Sequence, residues 1–259
     1  MKILYERVKR NRDKTVRCYL TLNCNAMCEF CSAGIPNLRP ERRKVWIPAE
    51  VWAEGINRRN RATVLAGGEP FLYPQFPELT SRIRKDIKVE IYTNLLAPID
   101  EFLKSANRKY SFLVSLHPAT KDLDKWKEKL DILADEGHGI RVHVVTRSGD
   151  KPLIDFLSHS GIVGKYKTAL QGDQRNGVKS RGAEINLENP LVTCSSAIYL
   201  YGPDGFRYHC VTSLGEGTNR GRLEHISAED GEDWSEEKCS SFGHCVGCDN
   251  NIEGKVTCE

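Results

Sequence analysis

Three cysteines spaced C-x3-C-x2-C, namely Cys24, Cys28 and Cys31, come directly after the apolar run from Val16 to Leu22. A strand that ends in such a loop limits what the chain can be, because three thiols are an odd donor set. Structural zinc closes a tetrahedron with four ligands, whereas a four-iron cluster on three thiolates leaves one iron open to a further ligand. An open iron implies chemistry. The surroundings of the loop agree with a metal role. The segment Met1 to Lys14 is charged throughout and lacks an apolar core, and no apolar run approaches the ~18 residues of a membrane span. The chain is therefore expected to be cytoplasmic, where its ten cysteines serve as metal ligands rather than disulfides. A net charge of +3 is too mild to imply nucleic acid, and nothing suggests a membrane partner.

Along the chain, short β-like runs alternate with amphipathic helical stretches, the pattern of a mostly parallel sheet or barrel. The predicted strands are Val16 to Leu22, Thr63 to Ala66, Val89 to Thr93, Phe112 to Leu116, Val142 to Thr146 and Tyr166 to Leu170. A helix is expected from near Pro48 through Trp52 and Ile56. Others carry Phe76, Leu79 and Ile83; then Ile99, Phe102, Leu103 and Ala106; then Leu123, Trp126, Leu130 and Leu133, stopped by Gly137; then Leu153, Phe156 and Leu157. Six β/α units are fewer than the eight of a closed barrel, so the expected fold class is α/β, a partial (β/α)6 TIM-like barrel. Each strand runs into polar or glycine residues at its C-terminal end: the cysteine loop, Gly67-Gly68-Glu69-Pro70, Asn94, His117, Arg147 and Gln171-Gly172-Asp173. Parallel α/β folds place ligands at this edge, so all six should face one pocket. Gln171 to Arg181, with Asp173 and Arg175, is expected on the substrate side.

Beyond about residue 180 the alternation stops and six cysteines appear: Cys194, Cys210, Cys239, Cys245, Cys248 and Cys258. Ile198 to Tyr201 and Phe206 to Val211 flank Gly202-Pro203-Asp204-Gly205 and read as a β-hairpin that brings Cys194 and Cys210 near each other. Cys245-Val246-Gly247-Cys248 is a metal knuckle. Hairpin and knuckle together supply Cys194, Cys210, Cys245 and Cys248 for one metal centre, on which so small a tail would depend for its fold. The expected division is a barrel over 1–180 and a cysteine-rich, cluster-binding extension over 181–259.

The chain resembles the radical S-adenosylmethionine (SAM) enzymes over nearly its whole length. The marks that carry the resemblance are the C-x3-C-x2-C loop with Phe30 before its last cysteine, and Gly67-Gly68-Glu69-Pro70 after the second strand. The tail pattern, Cys194, Gly205 and Cys210 and then Cys245-x2-Cys248, resembles the twitch and SPASM extensions of that family, which carry auxiliary iron–sulfur clusters. It departs from full SPASM in the grouping of its cysteines, which favours one auxiliary cluster over two and leaves Cys239 and Cys258 unassigned. The resemblance implies a 4Fe-4S cluster on Cys24, Cys28 and Cys31 whose open iron is chelated by SAM. It implies reductive cleavage of SAM to a 5'-deoxyadenosyl radical, hydrogen abstraction from a small-molecule or peptide substrate, and an electron donor such as flavodoxin or ferredoxin. Gly67 and Gly68 would admit the SAM amino group, Glu69 and Pro70 shape that strand end, and Phe30 would pack near adenine. Asn94, Ser115 and Arg147 are candidates for the ribose or carboxylate by their position at strand ends. An auxiliary cluster with four protein thiolates would relay an electron. No catalytic side chain, substrate or reaction type is indicated.

Plainer readings stand beside these. Cys18 lies inside a strand and reads as a buried small hydrophobe. His117 reads equally as a proton donor and as a structural pocket-edge residue. His244 with Cys239, Cys245 and Cys248 could form a zinc site instead, making the chain a non-catalytic zinc-binding interaction protein. Gly215 to Gly221 looks like a nucleotide loop but lacks the strand and helix that such a loop needs. Arg42-Arg43-Lys44 and Arg58-Arg59-Asn60-Arg61 prompt a second enzyme reading, RNA modification, although runs this short are usually solvated faces.

Overall fold

The computed structural model describes residues 2–7, 15–26, 28, 31, 38–118, 120–146, 151–172, 192–196, 199–217, 224–229, 235–239 and 254–258. Its strands are β1 (Lys2–Arg7), β2 (Val16–Tyr19), β3 (Thr63–Ala66), β4 (Val89–Thr93), β5 (Ser111–Leu116), β6 (Gly139–Thr146), β7 (Lys167–Gly172), β8 (Val192–Ser196), β9 (Tyr199–Tyr201), β10 (Arg207–Tyr208), β11 (Ser235–Cys239) and β12 (Gly254–Cys258). Its α-helices are α1 (Ala49–Arg59), α2 (Phe76–Arg82), α3 (Asp100–Ser105), α4 (Leu123–Asp135), α5 (Lys151–His159), α6 (Ile162–Lys165) and α7 (Val211–Glu216). All six predicted barrel strands are present, with bounds shifted by a few residues at most.

An eight-stranded sheet runs in the order β10-β9-β2-β3-β4-β5-β6-β7. From β9 to β7 every neighbouring pair is parallel, and only β10 is antiparallel. The result is an α/β fold with a mostly parallel open sheet, consistent with a partial TIM-like barrel. Alternation along the strands sets its two faces. Val16, Cys18, Ile91, Phe112, Val114, Leu116, Val142 and Val144 are buried in one core with Trp52, Ile56, Phe76, Leu79, Phe102, Trp126, Leu130 and Leu133 from the helices. Each such side chain contributes ~1.5–3 kcal/mol by leaving water. Cys18 is fully buried there, as a small hydrophobe should be. Helix ends obey local chemistry. Asp122 caps α4 by accepting from Lys125 N at 2.9 Å, and Gly137 takes φ +78° just beyond its end.

The expected hairpin forms: β9 and β10 pair antiparallel around Gly202 to Gly205, with Gly205 at φ +79°. Its placement has no local signature in the sequence. β9 lies parallel to β2, so the hairpin extends the barrel sheet past its first strand. A four-stranded antiparallel sheet, in the order β1-β12-β8-β11, joins the two ends of the chain. Strands from both sides of residue 180 therefore share each sheet.

Buried charges fix the hairpin against α1. Arg59, 5% exposed, donates from Nε to the Tyr201 hydroxyl at 3.0 Å and from its NH groups to the carbonyls of Gly55, Ile226 and Ala228. Tyr201 donates to Glu224 at 2.9 Å, and Glu224 pairs with the buried Arg207 at 3.2 Å. Arg61 and Arg207 each place a guanidinium over the ring of Tyr199, at 4.8 and 4.4 Å from its centroid. Arg58 donates to the carbonyl of Ser227, and Arg42 donates to the carbonyls of Leu214 and Gly215 at the end of α7. Of the two basic clusters, Arg59 is thus an internal clamp and Arg42 and Arg61 are partly buried, so the expectation of solvated faces is corrected for these three, while Arg58 keeps an exposed face. Replacing Arg207 by Leu leaves the Glu224 carboxylate without its ion-pair partner and should lower unfolding free energy by ~3–5 kcal/mol, measured by urea denaturation; a loss under ~1 kcal/mol would show the pair to be incidental.

Candidate functional site

The cysteine loop leaves β2 through Leu20, whose N–H continues the ladder to Ala66 O at 2.9 Å. The strand end of β3 then lies directly against it. Gly68 N–H donates to Thr21 O at 2.8 Å and Glu69 N–H to Asn23 O at 2.9 Å. Both glycines are required by this approach. A Cβ at Gly67 would stand 2.4 Å from Thr21 O, and Gly67 also holds φ +147°; a Cβ at Gly68 would stand 2.1 Å from Asn23 O and 3.0 Å from Cys24 Cβ. No flexible side chain could yield there, since the nearest obstacles are backbone atoms.

Glu69 continues the support inward. It is fully buried, and its carboxylate accepts from Thr93 Oγ1 at 2.8 Å, Asn94 N at 2.8 Å and Phe71 N at 3.2 Å. Burial pushes its pKa up to about 7, against the lowering effect of those three bonds. It therefore ties the ends of β3 and β4 together. Pro70 opens the short 3-10 turn Pro70–Leu72 next to it.

Asn94, buried at the end of β4, has an amide whose orientation its partners decide. Oδ1 accepts from Leu96 N at 2.8 Å, so Nδ2 faces the loop, 3.0 Å from Asn25 Oδ1 and 3.7 Å from Cys24 Sγ. Its carbonyl accepts from Trp126 Nε1 at 3.0 Å. At the end of β5, His117 brings both ring nitrogens to 3.7 Å from Cys28 Sγ. Burial drives the His117 pKa down to about 4, so the ring is neutral near pH 7. Two of the three sulfurs thus have a polar partner at a neighbouring strand end, an amide N–H at Cys24 and an imidazole nitrogen at Cys28. Sequence reasoning weighed His117 without this contact and missed Asn25 altogether; the polar position after β5 was the available signal. Ser115 donates to Thr93 O at 3.2 Å. It alternates with buried Val114 and Leu116 and is the register partner of His143, so both lie on the sheet face away from the helices.

The three thiols are free and half-buried. Burial, reinforced by the charges of Glu69 and Cys31 for Cys24 and of Cys24 and Cys31 for Cys28, raises the Cys24 pKa to about 11 and the Cys28 pKa to about 12. Such thiols ionise together only beside a strong positive charge. Among the described residues no three His, Cys, Asp or Glu side chains form a ready single-ion site. The donor set and its supports fit an iron–sulfur cluster.

Cys24 and Cys31 also pack against a satellite cluster of Leu22, Leu200, Tyr208, Val211 and Leu214. The hairpin and α7 therefore cover one side of the loop. Cys210 caps α7, its Sγ accepting from Ser213 N at 3.4 Å while Ser213 Oγ accepts from Cys210 N at 3.1 Å. Cys194 sits in β8, opposite Glu237 and Val256. Gln171 lies in β7 as the partner of Val145. Phe30, Arg147, Asp173, Arg175, His244, Cys245 and Cys248 fall outside the described residues.

Residues 18–117 match the Radical SAM superfamily. The matched segment runs from the strand before the cysteine loop to the histidine that reaches Cys28. Among solved structures, Streptococcus suis SuiB bound to S-adenosylmethionine is 20% identical over 65% of this chain, with TM-score 0.50. SuiB bound to its precursor peptide SuiA is 21% identical over 66%, also at 0.50. The chain spans 42% and 41% of those two structures. Native anSMEcpe with bound AdoMet is 13% identical, with 82% of this chain and 78% of that one covered and TM-score 0.54. At these identities the likeness concerns the fold. Comparison with curated proteins gives no match. No described helix is long and apolar enough to cross a membrane.

Gly68→Ala should lower the melting temperature and the anaerobic iron loading together, the overpacking alone costing ~1–3 kcal/mol. Gly164→Ala, whose Cβ would meet nothing within 4 Å, should leave both unchanged or slightly raise stability. Equal behaviour of the two variants would contradict the docking role of Gly68.

Proposed function

We propose that the chain is a radical SAM enzyme whose cysteines 24, 28 and 31 hold a four-iron cluster completed by SAM. When bound and reduced, the cluster would give one electron to the SAM sulfonium, whose C5'–S bond would break to release methionine and a 5'-deoxyadenosyl radical able to take a hydrogen atom from a small-molecule or peptide substrate. The observation that carries the reading is the joint one: a three-thiol loop docked onto a glycine strand end, inside a segment that matches the Radical SAM superfamily. Both halves are needed, because the docking holds the thiol loop against a strand end and the match supports SAM as the partner of those thiols.

In this reading the residues of the chain have separable duties. Gly67 and Gly68 keep the strand end thin where it meets the loop. Glu69, accepting from Thr93 and Asn94, holds two strand ends at one height. Asn94 and His117 donate toward Cys24 and Cys28, which stabilises negative charge on sulfur. Ser115 and His143 offer polar groups on the face away from the helices, where substrate or the SAM ribose would lie. By the resemblance, Phe30 would serve adenine and Arg147 the SAM carboxylate, both lying outside the described residues. The tail cysteines hold an auxiliary cluster that accepts or relays an electron, and flavodoxin or ferredoxin is the donor class. A substrate of peptide character has a precedent in SuiB with its precursor peptide. The inward use of Arg42, Arg59 and Arg61 takes away most of the feature that prompted an RNA substrate.

Anaerobically reconstituted protein, reduced with dithionite in the presence of SAM, should release 5'-deoxyadenosine, and Cys28→Ala should abolish release. Protein with a verified intact cluster that leaves SAM uncleaved, or purified protein that contains zinc without iron, would overturn the proposal.

A further inference from the structure

The turn that follows β4 holds a conformation that its residue types do not favour. Leu95 sits at φ +59° and is fully buried in the main core. A leucine in the left-handed region is strained, and it stays there only where its surroundings over-determine it. Part of the constraint is local. Leu95 N–H donates to Thr93 Oγ1 at 2.8 Å, and Leu96 N–H donates to Asn94 Oδ1 at 2.8 Å. The rest comes from α4. Trp126 Nε1 donates to the Asn94 carbonyl at 3.0 Å. Lys129 Nζ donates to three successive carbonyls, those of Leu95 at 3.3 Å, Leu96 at 3.3 Å and Ala97 at 2.8 Å.

The chemistry of that last contact is specific. An ammonium carries three donors and no acceptor, so three carbonyls engage it completely. Consecutive carbonyl dipoles aimed at one point repel one another unless a cation stands there. Trp126 and Lys129, three residues apart, share the face of α4 that meets the turn. Lys127 differs, since it pairs with Asp131 of its own helix. From Lys129 the constraint reaches the thiols in two steps. Leu96, held through its carbonyl, offers the N–H that fixes Asn94 Oδ1. Asn94 Nδ2 is thereby turned to the loop, 3.0 Å from Asn25 Oδ1 and 3.7 Å from Cys24 Sγ.

We propose that Lys129 is a positioning residue for the three-thiol centre: it gathers the carbonyls of Leu95, Leu96 and Ala97, locks the turn after β4, and so keeps the Asn94 amide aimed at Cys24. The assignment rests on the reading of Cys24, Cys28 and Cys31 as cluster ligands. Hydrogen bonds to ligating sulfur help set a cluster's reduction potential, and a donor favours the more negative, reduced state. Lys129 therefore raises the potential of the centre without touching it.

The test uses the full chain as wild type, Lys129→Met, Lys129→Gln, Asn94→Ala and the double variant Lys129→Met with Asn94→Ala. Amide hydrogen exchange over residues 95–97 is followed on iron-free protein. The midpoint potential is followed on reconstituted protein by electron paramagnetic resonance of the cluster whose signal SAM perturbs. Lys129→Met should speed the exchange roughly tenfold or more, the loss expected when a charged donor is removed, and should lower the potential. Lys129→Gln, with two N–H donors and no charge, should fall between it and wild type on both readouts. Asn94→Ala should lower the potential at least as far, and the double variant should go no lower than Asn94→Ala alone, because one route carries both effects. Unchanged exchange in Lys129→Met overturns the lock on the turn. Faster exchange at an unchanged potential, additive shifts in the double variant, or loss of iron from both lysine variants but not from Asn94→Ala overturns the positioning role. Wild type that takes up no iron overturns the underlying reading of the cysteines instead, and the exchange measurement still judges the turn.

Discussion

Two backbone hydrogen bonds, Gly68 N–H to Thr21 O and Glu69 N–H to Asn23 O, carry the candidate site. The cysteine loop has no regular structure at its described positions to hold its own shape, so its thiols can be placed only as well as the surface beneath them. A β3 end with side chains at positions 67 and 68 could not come close enough to make those bonds. From there the support passes through Glu69 to Thr93 and Asn94, and from the Asn94 carbonyl to Trp126 in α4. The described part of the loop, which has no regular structure of its own, thus rests on a helix packed in the main core.

The other side of the loop depends on the C-terminal part of the chain. Leu200, Tyr208, Val211 and Leu214 bury Leu22 and press against Cys24 and Cys31. That surface is pinned to α1 by Arg59, Tyr201, Glu224 and Arg207, and to the Pro40–Lys44 turn by Arg42. Buried arginines are expensive unless their donors are met, and here carbonyls, a phenol and a carboxylate meet them. The cover is accordingly specific in geometry. It keeps water from one flank of the thiols, which is also part of why their pKa values rise.

Much of this was legible in the sequence because parallel α/β folds write locally. Hydrophobic alternation marked the barrel strands, and the polar residues after them marked the functional edge: Asn94 and His117 both turn toward cysteine sulfurs. Gly67 and Gly68 could be seen to matter, although the contact that demands them is with Thr21 and Asn23. Long-range pairing stayed hidden. A parallel partner such as β9 beside β2 leaves no turn signal, and β1 and β12 meet from opposite ends of the chain. Clustered arginines misled for a related reason. A charge run looks solvated until the carbonyls and tyrosines that receive it, at residues 199–228, are brought alongside by the fold.

The most direct test of a three-thiol cluster that SAM completes is Mössbauer spectroscopy of the 57Fe-reconstituted chain with and without SAM, on protein carrying only the Cys24, Cys28 and Cys31 centre. One iron of four should change its isomer shift and quadrupole splitting when SAM is added, and the other three should stay as they were. Four irons that are indifferent to SAM, or a spectrum without a four-iron cluster, would contradict the claim.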